Sequence, residues 1–168
     1  MSLSIHSAAV PVFRQMLGAL ADVLEKAEAH ALASKYEPAT LLGARLFPDM
    51  LPLTKQVQIA TDFAKGASAR LAGVDVPRYE DHEQTFAELQ QRIGKTLGYI
   101  DSLPAAAFDG GEGRAITHGA AERARHFARG DDYLTGFVLP NFYFHVTTAY
   151  AILRHNGVPL GKRDFLGL

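Results

Sequence analysis

The chain has 168 residues, a usual length for one domain, and 48% of them are hydrophobic, which is enough for a substantial core. Its formal net charge of −1 offers no basic field to neutralise phosphates, so we expect no binding to nucleic acid. The absence of cysteine excludes disulfides, thiolate metal ligands and a cysteine nucleophile. The chain starts without the pattern of a signal peptide, and no stretch approaches about 18 apolar residues, so we expect a soluble, cytoplasmic protein without membrane contact.

The first three long helices are predicted from apolar residues at helical spacing. The first covers residues 4–33, and Pro11 should either delay its start or kink it, because proline lacks the amide donor. The second covers 52–72 and should end at Gly73. The third covers 82–101.

A fourth helix is predicted from about Asp131 to Asn156, with Asp131 or Asp132 as its N-cap. Pro140 interrupts it, since the missing amide would have met the carbonyl of Gly136. We therefore expect a kink between these two residues.

The third connection, residues 102–130, is long and starts with dense glycine. Its segments 114–118 and 123–128 are candidates for a small β-hairpin, with exposed irregular loop as the alternative. Four long amphipathic helices in one domain pack most economically as an all-α four-helix bundle. A connection of this length can cross the bundle and let two helices run parallel.

Polar side chains form a stripe on the fourth helix at Asn141, His145 and Thr148. Two histidines four residues apart would form a helical half-site for a metal ion, but asparagine holds the first place and is a poor ligand for Zn or Ni. His145 is therefore a buried, hydrogen-bonded core histidine lining a small polar cavity, a metal ligand or a catalytic base. His155 is about 15 Å further along the helix and cannot share an ion with His145.

The second helix offers Gln56, Gln58 and Asp62 as partners for this cavity. Gln58 and Asp62 lie one turn apart, so both can face it. Asp62 is the only good ligand for a divalent metal among the three, with an exposed, solvated carboxylate as the alternative interpretation.

Two segments resemble an uncharacterised bacterial family within the DinB/YfiT-like superfamily of metalloenzymes. They are LPNFYFHVTTAYAILRHNGVPLGKRDFLG at 139–167 and FPDMLPLTKQVQIATDFAKGASARLAG at 47–73, and the resemblance extends over nearly the whole chain. It implies a four-helix bundle with up-down-down-up topology, which is usually dimeric. It also implies a divalent metal such as Ni or Zn, held by three histidines.

In the register of that superfamily, His145 occupies the second histidine position of the last helix, and Asn141 occupies the first. The histidine of the second helix falls near Gln58 or Gln56. One ligand of three remains, so the resemblance implies a degenerate metal site. Some members of the superfamily are thiol-dependent transferases or isomerases.

Together these patterns predict one DinB-like domain over residues 1–168. We expect a homodimeric module that binds a small molecule in a pocket lined by Gln58, Asp62, Asn141, His145 and Thr148. The alternative is a metal- or thiol-dependent transferase or hydrolase-like enzyme that uses His145 with Ni or Zn.

Overall fold

Four long helices form the core of the molecule, which a computed structural model describes over residues 3–168. They are α1 (Ile5–Ala33), α3 (Leu53–Ala72), α4 (Phe86–Ser102) and α6 (Leu139–His155). Within the same residues three short helices lie between and after them: α2 (Ala39–Leu42), α5 (Gly130–Tyr133) and α7 (Lys162–Leu166). The predicted all-α bundle is confirmed.

Two neighbouring pairs of helices run antiparallel, as contacts at two positions along each pair show. Between α1 and α4, the Gln90 amide donates to the Ala21 carbonyl, whereas Arg14 pairs with Asp101 further along. Between α3 and α6, Gln56 contacts His145. The α3 residue Phe63, two turns later, contacts the ring of Phe137, which precedes α6.

The α3 and α4 helices run parallel to each other. Arg92 of α4 donates to Thr61 of α3, and one turn further along both helices Lys65 and Lys95 lie over the same ring of Tyr79. Combined with the antiparallel pairs, this gives the up-down-down-up order of the four helices. The topology implied by the family resemblance is confirmed.

The second connection, residues 73–85, makes the parallel pair possible by returning the chain along the length of the bundle. This corrects our assignment of that role to the third connection. The third connection instead links α4 to α6 at one end of the bundle, where α4 ends and α6 begins, so it does not need to run along the helices.

A buried guanidinium holds the second connection against α3 and α4. The Arg92 side chain is 2% exposed and lies 2.9 to 3.1 Å from carboxylate oxygens of Asp62 on α3 and of Asp81 and Glu83 in the connection. Burial by itself raises the pKa of Glu83, but hydrogen bonds from Arg92 and Gln58 outweigh it, so this pKa lies below its usual value.

The third connection carries a two-stranded antiparallel hairpin, β1 (Ile116–His118) and β2 (Arg125–Phe127). The predicted hairpin is confirmed. The connection also packs closely on the end of α3, because a Cβ at Gly111 would lie only 2.8 Å from the Leu71 carbonyl oxygen. No residue with a side chain fits at that position without moving the backbone.

The α1 helix does not start late, although Pro11 lies within it. Ser4 is its N-cap and accepts a hydrogen bond from the Ser7 amide. The carbonyl that Pro11 leaves without a partner belongs to Ser7, which is exposed, so water can satisfy it.

α1 also contains an 18-residue window with a mean hydropathy of 1.2, which is long and apolar enough to cross a membrane by composition alone. This corrects the expectation that no segment reaches that length. Half of the window is buried inside the bundle, where α1 contributes core residues such as Phe13 and Leu17.

The predicted interruption before α6 takes the form of a π-helical turn at Leu134–Val138. The predicted cap by Asp131 or Asp132 is wrong: the helical region begins at Gly130 after Arg129, without a side-chain cap. The Asp131 carboxylate instead pairs with the Arg129 guanidinium at 2.6 Å.

We predict that Arg92→Ala lowers the free energy of unfolding by about 3 kcal/mol, because it leaves the buried Glu83 carboxylate without its cation. Urea denaturation measures the change. Arg14→Ala is the control, since its ion pair with Asp101 is about half exposed on both sides and should contribute less than about 1 kcal/mol. Equal small effects of the two substitutions would contradict the structural role of Arg92.

Candidate functional site

His145 is half-buried on α6 and is oriented by an amide of α3. Its Nδ1 atom lies 2.7 Å from Gln56 Oε1, while Gln56 Nε2 donates to the Leu51 carbonyl at 2.9 Å. Because a carbonyl oxygen only accepts, Nδ1 carries the proton and Nε2 presents a lone pair. Burial lowers the pKa of His145, which favours this neutral form.

Asn141 and Thr148 bond to their own helix. Asn141 Nδ2 donates to the Phe137 carbonyl and Thr148 Oγ1 donates to the Phe144 carbonyl, each at 2.7 Å. Thr148 is buried, whereas Asn141 is half-buried one turn before His145. The Asn141 side chain thus retains its amide oxygen and its second N–H for other partners.

Gln58 and Asp62 lie on another side of α3. Gln58 donates to Glu83 at 2.7 Å, and Asp62 pairs with Arg92 and with Lys65. Gln56, rather than Gln58, contacts His145, because residues two apart on a helix point about 200° apart. The predicted single pocket is therefore divided into a His145 group and an Arg92 group.

The donor atoms around His145 do not fit a tightly held Ni or Zn ion. Within residues 3–168 no three histidine, cysteine, aspartate or glutamate side chains are grouped closely enough to hold a metal. The polar side chain that contacts the imidazole is the amide of Gln56, and neutral amide oxygen is a poor ligand for these ions.

A cleft of about 480 Å³ runs along α3, between the second connection and the hairpin, and we call it the α3 cleft. Its volume is in the range of small-molecule sites. The residues that line it are Ile59, Asp62, Phe63, Lys65, Gly66 and Arg70 of α3, Val76, Pro77, Arg78 and Tyr79 of the connection, and His118 and Gly119 of the hairpin. A larger cleft, of about 570 Å³, lies where α1 begins, but none of the predicted site residues lines it.

The ring of Phe63 connects the α3 cleft with His145. It stacks on the His118 imidazole, with centroids 5.8 Å apart and planes 9° apart. It also stacks on the His145 imidazole, at 6.0 Å and 22°. Gln56 and Phe63 are two turns apart on one stripe of α3, so the polar contact of His145 lies behind the wall of the cleft and outside its lining.

His118 is the site residue that we did not predict from the sequence. Its Nδ1 atom lies 3.0 Å from the hydroxyl of the buried Tyr133. Burial, followed by the charges of Arg70 and Arg125, lowers the pKa of His118 to about 4. The imidazole is therefore neutral near pH 7. No short spacing in the sequence reveals this role, because the partners of His118 come from distant segments.

We predict that stability falls as the pH is lowered from about 6.5 to about 4, because in this window the unfolded chain binds a proton at His118 and the folded chain does not. His118→Phe keeps an aromatic ring on Phe63 but cannot ionise. Over the same pH range its free energy of unfolding should therefore fall less than that of the wild type. Urea denaturation at about pH 7 and about pH 4.5 measures both slopes. Identical slopes would rule out a depressed pKa at His118.

Comparison with known proteins agrees with this architecture. Residues 5–166 match the family described as "Domain of unknown function (DUF1993)". A crystal structure described as a DinB family member protein from Shewanella denitrificans superposes with a TM-score of 0.91 at 40% identity, covering 98% of this chain and 92% of that one. A comparison with curated proteins gave no match. The chain therefore belongs to the DUF1993 family and has a DinB-like fold.

Proposed function

We propose that this protein binds a small organic molecule in the α3 cleft and does so without a tightly held metal ion. The observation that carries the proposal is the ring of Phe63, which forms a wall of a cleft of small-molecule size and contacts both His118 and His145. The cleft thus combines apolar walls with a few fixed polar groups, the usual composition of a ligand site.

The contacts of His145 support a degenerate metal site. Gln56 holds the imidazole at Nδ1. Either Gln56 or Gln58, like Asn141, contributes only an amide where the superfamily has a histidine. An ion bound at Nε2 would have one strong protein ligand, whereas catalytic zinc sites have three. In this proposal His145 supports the wall of the cleft through its stack on Phe63.

The lone pair on His145 Nε2 favours one second candidate, a transferase that uses an external low-molecular-weight thiol. A neutral imidazole in this tautomer can accept a proton from a bound thiol. Since the chain has no cysteine, the thiol would have to be a second ligand. Consumption of a thiol together with an electrophilic acceptor, lost in His145→Gln, would establish this candidate in place of simple binding.

A homodimer and a cytoplasmic location belong to the same proposal. Tyr143 and Phe144 on α6 are 38% and 56% exposed, and such apolar exposure supports self-association through this helix. Sedimentation equilibrium tests the dimer, and a monomer at all concentrations would exclude it. Cell fractionation tests the location.

We predict that a fragment screen by ligand-observed NMR, in buffer containing EDTA, gives hits for the wild type that Gly66→Leu loses. A side chain at position 66 would extend into the cleft. A Cβ there would first meet the flexible guanidinium of Arg70, at 2.7 Å, so the helix itself tolerates the substitution.

Gly94→Leu on α4 is the matched control, because a Cβ there meets nothing within 4 Å. Its hits should equal those of the wild type. Hits that survive Gly66→Leu, or that require added Zn or Ni, would contradict the proposed function.

A further inference from the structure

The guanidinium of Arg70 lies in the α3 cleft with most of its donors free. It occupies the space beside Gly66, which has no side chain to displace it. Its hydrogen bond to the Tyr133 hydroxyl is long, at 3.5 Å. Within residues 3–168 no carboxylate forms an ion pair with it. Since arginine has five N–H donors, a half-buried and unpaired guanidinium is a strong anchor for an anion.

The remaining charges of the cleft do not neutralise Arg70. Asp62 is the one carboxylate that lines it, and Asp62 already pairs with Lys65 and Arg92. Arg78 adds a second cation without an ion pair in the described part of the chain. His118 is neutral near pH 7 and adds no charge. The cleft therefore carries a net positive charge, because Lys65, Arg70 and Arg78 outnumber its one carboxylate.

The walls around this charge are largely apolar. Phe63 lies on one side, and Val76 and Pro77 of the second connection lie on the other. The ring of Tyr79 has the ammonium group of Lys65 over it, 4.0 Å from the centroid. A ligand that fills the cleft therefore needs an apolar body as well as a charged group.

We infer that the ligand of the α3 cleft is a small organic anion, whose carboxylate or phosphate binds the Arg70 guanidinium and whose apolar body lies against Phe63. This inference rests on the proposed function and names the class of ligand for the same site. The planar guanidinium can donate two parallel hydrogen bonds to either anionic group.

The experiment compares phenylacetate and phenyl phosphate with the neutral phenylacetamide, by NMR titration of the amide resonances of Gly66 and Gly119. Both anions should bind the wild type more tightly than the amide. Arg70→Gln should weaken the anions about tenfold and leave the amide unchanged, because it removes one charge-assisted contact. Arg70→Lys retains the charge but not the planar guanidinium, so its affinity for the anions should lie between those of the wild type and Arg70→Gln. Its remaining binding also shows that a substitution at this position leaves the protein folded.

Arg154→Gln is the matched control, since it removes the same charge from an exposed position of α6 outside the cleft. Two results would overturn the inference that the ligand is an anion: equal affinity for the anions and the amide, or an equal loss of anion affinity in Arg154→Gln. Either result would leave the proposed function standing. Failure of both anions to bind while neutral fragments occupy the cleft would do the same. If no compound binds and Gly66→Leu changes nothing, both proposals fail.

Discussion

The ion pairs of the buried Arg92 are the interaction on which the rest of the structure depends. Its guanidinium contacts one carboxylate on α3 and two in the second connection, so a single side chain of α4 joins three segments. This connection must run the length of the bundle for α3 and α4 to be parallel. An unpaired charge at a position this buried would be very costly, and the network therefore stabilises this arrangement over alternatives in which the connection is free.

The same network influences the charge of the α3 cleft. Asp62 lines the cleft, but its carboxylate is held by Arg92 and Lys65 and cannot neutralise Arg70. The α3 helix thus has two polar faces with different roles. One face bonds to Arg92 and its carboxylates and borders the cleft at Asp62. The other, which carries Gln56, Phe63 and Arg70, faces His145 and the cleft. A structural ion network and an open cationic site lie side by side on one helix.

The long helices and the hairpin were predictable because apolar periodicity and turn residues act locally. The end of α3 at Gly73, with a φ of +73°, is one such local signal. The site was less predictable. A difference of two residues decides whether Gln56 or Gln58 contacts His145, and helical spacing alone allows either until the packing angle is known. His118 gave no local signal at all, because its contacts with Phe63 and Tyr133 form only when the hairpin folds over α3.

The family register, in which amides hold two of three histidine positions, leads to the central claim of this account. We propose that the DinB-like metal centre is degenerate here and that a metal-free cleft beside it is the functional site. Metal analysis of the protein purified without a histidine tag, followed by titration with Zn and Ni, tests this claim most directly. We predict less than stoichiometric metal and no tight binding on titration. Stoichiometric Ni or Zn that disappears in His145→Ala would contradict it.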